Sequence, residues 1–227
     1  MNGKPLRGPR SDGAATRARI LESAGTLFAS QGLASTTSKA IAAKAEVDLA
    51  SINYHFGNRD GLYRAVLVEA HRRFVRLEEL ERISASQVMP EEKLGTLLDA
   101  IVGRLAGPSH WSTAVLVREL AAPSAHFAVL RDEEAPPKLR VALRILSDVS
   151  GIPIGAPELL CCLISVAAPC AMLLIAGDNL PAPGRDILRI DRRALADHLH
   201  RFALAGLNAA GQDYRARHEE DNAQLPA

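Results

Sequence analysis

Residues 37–66 read TSKAIAAKAEVDLASINYHFGNRDGLYRAV. Ile41, Ala42 and Ala45 recur at helical spacing, and Ile52 and Phe56 begin a second such run after the short break Glu46-Val47-Asp48. Helices this short are not stable alone, so they must pack tightly on each other and on a third element. The small residues of the inner stripe, with Val47 in the turn, permit that approach. Ser35 or Thr36 is placed to cap the first helix, and Asp48 to cap the second, over Leu49–Phe56.

Two short helices across a tight turn form a helix-turn-helix. In such a unit the second helix enters the major groove of double-stranded DNA and the first crosses the backbone. Groove-facing positions must then be short or polar, which Leu49, Ala50, Ser51 and Asn53 satisfy as candidates for base readout. Donors on the rim must reach phosphates, and Thr37, Ser38, Lys39, Tyr54, His55 and Arg59 are the candidates. Charge agrees with this placement. The whole chain has a net charge of +1, but residues 1–64 hold nine Lys/Arg against five Asp/Glu. A basic amino end on a mildly acidic body confines a polyanionic partner to one end.

The rest of the chain reads as helix. Aromatic residues are only 4% of the sequence, Ala and Leu are abundant, and period-two alternation is scarce, so the expected class is all-α with about nine helices. A helix is expected over 16–30, with Ile20, Leu21, Ala24, Leu27 and Phe28 on one face and Gly32 just past its end. Gly25 inside it is expected to cost about 1 kcal/mol relative to alanine. A longer helix is expected over 59–83, followed by others over 90–106, 110–122, 133–150, 157–177 and 187–211, with breaks at Gly107-Pro108, Pro123, Gly151 to Pro153 and Pro181 to Gly184. The organisation expected is a flexible basic arm over 1–13, a DNA-binding domain over 14–62, a helical effector-binding and dimerisation domain over 63–211, and a polar tail over 212–227.

The three cysteines, Cys161, Cys162 and Cys170, form no zinc-like spacing and suit buried thiols in a reducing compartment. The amino end has no apolar secretory segment, and a cytoplasmic location is expected. Leu159–Ala176 is an uncharged run of 18 residues, near the lower limit for a membrane span. Pro169 interrupts it and no aromatic belt or basic cluster flanks it, so a core or subunit-interface role is expected and no membrane partner.

The stretch TTSKAIAAKAEV…INYHFGNRDGLYRAV, together with RARILESAGTLFASQG before it, resembles the DNA-binding region of TetR-family transcriptional regulators. The resemblance covers about 50 residues. It implies phosphate contacts at Thr37, Tyr54, His55 and Arg59 and base readout at about 49–53. Arg59 stands where the family usually has Lys, and Ser38 where it often has a basic residue. Glu46 stands where the family often has Gly, so a left-handed backbone there would cost roughly 1 kcal/mol or more.

A weaker resemblance, carried by VRELAAPS within residues 111–127 and by the apolar helix ending in Ala167-Ala168, is to the C-terminal domain of the CecR-like branch of that family. The family implies a homodimer built from the last two long helices. Ala167, Ala168 and Ala171 are the interface candidates on the first, and Leu195, Leu199 and Phe202 on the second. It also implies a pocket for a small hydrophobic effector. Candidates before the body's midpoint are His71, Phe74, Val75, Trp111, Val115, Arg118 and Phe127; beyond it they are Cys162 and Met172. Arg118-Glu119 suits either a polar ligand or a structural ion pair. His110 and His126 lack a supporting ligand set, so neither metal nor cofactor is expected. The function implied is a ligand-responsive regulator, a repressor in its simplest form, that binds a palindromic operator. A small-molecule-binding helical enzyme and a membrane-associated helical protein are the alternatives. No phosphate loop or nucleophile motif supports the enzyme.

Overall fold

The computed structural model describes residues 9–105, 110–176 and 184–223, and every regular element among them is helical. The α-helices are α1 (Pro9–Ser35), α2 (Ser38–Ala45), α3 (Leu49–Phe56), α4 (Arg59–Phe74), α5 (Leu77–Ala85), α6 (Pro90–Leu105), α7 (Trp111–Ala121), α8 (Ala135–Ser150), α9 (Pro157–Ala176) and α10 (Arg192–Ala223). There are ten among the described residues rather than nine, because the helix expected over 59–83 is two helices, α4 and α5. Arg76 lies between them with an extended backbone. No glycine or proline marks that break in the sequence.

Other boundaries differ from expectation. Helix α1 already begins at Pro9, within the stretch read as an arm, and α10 continues to Ala223, within the stretch read as a tail. Lys4 and Arg7, and the breaks expected at 107–108 and 181–183, lie outside the described residues. Pro169 does not interrupt α9. Helix α2 is capped by Thr37 rather than by Ser35 or Thr36: the Ala40 amide donates to Thr37 Oγ1 at 3.1 Å.

The described residues divide into two compact units. The first contains α1 to α4, α7 and the turn Ala125–Phe127. Its core is built from Ile20, Ala24 and Phe28 of α1, Ile41 and Ile52 of the short helices, Leu62, Val66 and Leu67 of α4, and Val115 and Leu116 of α7. Complete burial of Ile41 and Ile52 contributes about 1.5–3 kcal/mol each, which holds helices of only eight residues in place.

Helix α7 is bound into this unit by polar contacts too. Trp111 is buried against α1 where Gly25 has no side chain, and its indole Nε1–H donates to Glu22 at 2.7 Å. The Arg73 guanidinium lies 4.8 Å from the centre of the same ring. Gly25 is therefore not a plain helix weakness: a Cβ there would lie 2.4 Å from a ring carbon.

Arg118 and Glu119 do not pair with each other. Arg118 donates to the carbonyls of Ala29 and Ser30 at 2.8 and 3.2 Å, at the end of α1. Glu119 is buried, and it accepts from the Tyr63 hydroxyl at 2.5 Å and from the amide and hydroxyl of Ser124 at 3.0 and 3.1 Å. Burial, and then Glu119, push the Tyr63 hydroxyl well above its ordinary pKa.

The second unit contains α5, α6, α8, α9 and α10 around Leu80, Leu94, Leu98, Ile145, Leu146, Ile152 and Leu159. One face of α9 is left uncovered: Leu160 is 51% exposed, Ile164 66% and Met172 59%, and Ala167 and Ala168 are exposed between them. On α10, Phe202 is 72% exposed while Leu195 and Leu199 are half-buried, Leu199 against the core. Between the two helices an open cavity of about 390 Å³ is lined by Cys161, Ser165, Val166, Phe202, Ala203 and Gly206, among others. Cys162 and Cys170 are buried, and burial raises the pKa of both thiols. Cys161, against the expectation of a buried thiol, is exposed.

Candidate nucleic-acid interface

The turn between α2 and α3 is closed by the backbone. The Glu46 and Val47 amides donate to Ala43 and Ala42 carbonyls at 3.3 and 3.0 Å. Glu46 adopts φ 53° and ψ 49°, so a β-carbon-bearing residue occupies the left-handed conformation where glycine is the low-strain choice. Among the described residues it is the one non-glycine residue with positive φ. Its side chain is exposed.

Asp48 then caps α3, accepting from the Ser51 amide at 2.7 Å and the Ser51 hydroxyl at 2.6 Å. The Ser51 hydroxyl, and then its amide, hold the Asp48 carboxyl below its usual pKa. Ile52 points inward and is fully buried. Leu49, Ala50 and Asn53 are exposed, so these three candidates share the outer side of α3. Ser51 is half-buried and its hydroxyl proton is committed to Asp48, which leaves its oxygen only as an acceptor.

The candidate phosphate donors are arranged around this helix in two ways. Thr37 and Lys39 are exposed at the start of α2, with Ser38 half-buried beside them. The Thr37 oxygen accepts from Ala40, and its own O–H remains available to donate. Tyr54 is 85% exposed, an orientation that its apolar ring does not favour in the free protein, and it meets the half-buried His55 edge-on at 5.0 Å.

Arg59 is different. Its Nη2 donates to the Leu33 carbonyl, and its Nε is buried without a hydrogen-bond partner. The end of α1 explains the inward turn. Gly32, at φ 79°, breaks the helix and leaves carbonyls that need donors. Thr36, Arg59 and Arg118 supply them, and the two cations also suit the negative end of the helix dipole. The charge at position 59 was legible in the sequence, but its direction was not.

The effector-pocket candidates fall in both units. In the first, Trp111 and Val115 are core residues, His71 and Phe127 are half-buried, and Arg118 is exposed and spent on α1. In the second, Phe74 and Val75 are half-buried, Cys162 is buried and Met172 is exposed on α9.

Two family profiles match the chain. Residues 20–66 match the profile described as bacterial regulatory proteins, tetR family. Residues 90–207, more than half the chain, match the C-terminal domain of the HTH-type transcriptional dual regulator CecR. No curated protein matches. Among solved structures, a TetR-like transcriptional regulator from Rhodococcus sp. RHA1 is 23% identical, with a TM-score of 0.62 over 88% of this chain and 98% of that one. FadR from Bacillus subtilis, in complex with stearoyl-CoA, is 18% identical, with a TM-score of 0.66 over 83% and 98%. FadR from Bacillus halodurans, a fatty acid degradation regulator, is also 18% identical, with a TM-score of 0.67 over 89% and 98%. At these identities the likeness is one of fold.

Proposed function

The chain belongs to the TetR family of transcriptional regulators, and from that premise we propose that it is a ligand-responsive cytoplasmic repressor that binds a palindromic operator as a homodimer. The observation that carries the reading is the exposed set on α2 and α3: Leu49, Ala50 and Asn53 outward, with Thr37, Lys39 and Tyr54 beside them, above a fully buried Ile41 and Ile52. Exposed Leu49 and Tyr54 serve no core and suit a groove and its phosphates. In this reading the head over 14–62 binds DNA, and the body over 63–211 pairs with a second copy and accepts an effector.

The uncovered stripe on α9 supports pairing. Leu160, Ile164 and Met172 with Phe202 of α10 leave an apolar surface that an isologous interface would remove from water. A two-fold dimer sets two reading helices about 34 Å apart, one turn of DNA. The effector is proposed to be a small hydrophobic compound; the Bacillus subtilis FadR is in complex with stearoyl-CoA, whose acyl chain is hydrophobic. An effector lowers DNA affinity tenfold if it favours the non-binding arrangement by about 1.4 kcal/mol.

The test is binding of the full chain to duplex DNA from the region upstream of its own gene, with stoichiometry measured alongside. The reading requires two chains per site, a steep loss of affinity with salt, and weakened binding in Tyr54→Ala. A chain that binds no duplex, or a Tyr54→Ala variant that binds as the parent does, contradicts it.

A further inference from the structure

We infer that Arg17 of α1 is an additional DNA-phosphate contact, presented by the ring of Phe56; the inference rests on the DNA-binding reading above. The first turns of α1 run alongside the end of α3. Gly13 faces His55, where an added Cβ would sit 4.0 Å from the imidazole Cε1. One turn further on, the Arg17 guanidinium carbon lies 5.0 Å from the centre of the Phe56 ring.

Phe56 is the last residue of α3 and follows directly after Tyr54 and His55, so Arg17 stands on the same rim as the most exposed of the candidate phosphate donors. Arg17 is itself exposed, and among the described residues no carboxylate pairs with it.

The chemistry fits an anion. A guanidinium held over an aromatic face by cation–π attraction keeps N–H groups free for a forked contact with two phosphate oxygens. The ring also restricts the side chain beforehand, so less rotamer freedom is lost on binding. The other arginine on this rim, Arg59, is turned inward onto Leu33. Arg17 therefore supplies the forked cation that position 59 does not.

The experiment is a salt titration of binding to mixed-sequence duplex DNA, using the full chain and the variants Arg17→Ala, Arg17→Lys, Phe56→Leu and Tyr54→Ala. Arg17→Ala should weaken binding on the order of tenfold at low salt, equally for different sequences, and reduce the log–log salt slope by about one. Arg17→Lys should keep the slope and recover only part of the affinity, because an ammonium lacks the fork. Phe56→Leu, which keeps an apolar residue but no aromatic face, should weaken binding with Arg17 intact. An unchanged slope and affinity in Arg17→Ala, while Tyr54→Ala weakens binding, overturns the role of Arg17 alone. If neither variant changes binding, this surface is not the DNA-binding one and both readings fall.

Discussion

Replacing Gly25 with alanine sets two physical effects against each other, and the structure decides the sign. Helix propensity favours the substitution by about 1 kcal/mol, since glycine is the weaker helix former. The new methyl, however, would sit 2.4, 2.5 and 2.6 Å from three carbons of the Trp111 indole, roughly 1 Å inside ordinary contact. The ring has little freedom to retreat. Its N–H donates to Glu22, Arg73 covers its face, and it is only 7% exposed. Overpacking of this kind costs about 1–3 kcal/mol. Moving the indole also strains a charge-assisted hydrogen bond, discounted here because Glu22 is half in solvent. The net expectation is a loss of about 1 kcal/mol, or about 2–4 °C in Tm for a chain of this size.

Thermal unfolding followed by circular dichroism measures the loss. Trp111 is the single tryptophan in the sequence, so intrinsic fluorescence reports the displaced ring in the same sample. A cycle with Trp111→Leu identifies the cause. Without the indole, Gly25→Ala should become stabilising by about 1 kcal/mol, as propensity alone requires. A Gly25→Ala variant that gains stability in the parent background, with unchanged fluorescence, refutes the packing argument.

Three further outcomes are expected. Glu46→Gly should raise stability by about 1 kcal/mol, or about 2–4 °C in Tm, because it relieves a left-handed β-carbon; denaturant titration checks this, and a loss would show that the turn is not strained. Tyr63 has a raised pKa in the fold, so its contribution is complete below the ordinary tyrosine value and declines as pH rises past about 10, by about 1.4 kcal/mol per pH unit while only the unfolded state ionises; Tyr63→Phe should lack that part of the alkaline loss, and parallel pH–stability curves would contradict the assignment. Ile164→Glu or Phe202→Glu, each placing a charge on the uncovered face of α9 and α10, should convert a dimer into a monomer that remains helical, as judged by sedimentation; unchanged mass for both would remove that face from the interface.

The α2–α3 unit was readable because its physics is local. Small apolar residues at helical spacing, a three-residue turn and a capping Asp48 all act within a dozen positions, and the structure repeats them down to the left-handed Glu46. What escaped sequence reasoning depends on residues far apart in the chain. Glu22 and Trp111 are 89 positions apart, so nothing local reveals that Gly25 makes room for an indole. Arg59 reads as a charge available for phosphate and Arg118 as a ligand group or half of a pair with Glu119, but both are spent on carbonyls at the broken end of α1. The separation of α4 from α5 at Arg76 has no glycine or proline to announce it. Arg17 and Phe56 lie on different helices far apart in the chain, so nothing local in the sequence reveals their contact.

The central claim is that the outer side of α3 reads DNA sequence. It is tested most directly by selecting duplexes from a random pool with the parent chain and with Asn53→Ala. The account predicts that the parent selects two inverted half-sites one helical turn apart and that the variant loses its preference at a fixed position in each half-site, by about 1–3 kcal/mol per base pair, while keeping the spacing. An identical selected sequence from both proteins, or no selected sequence from the parent, would contradict it.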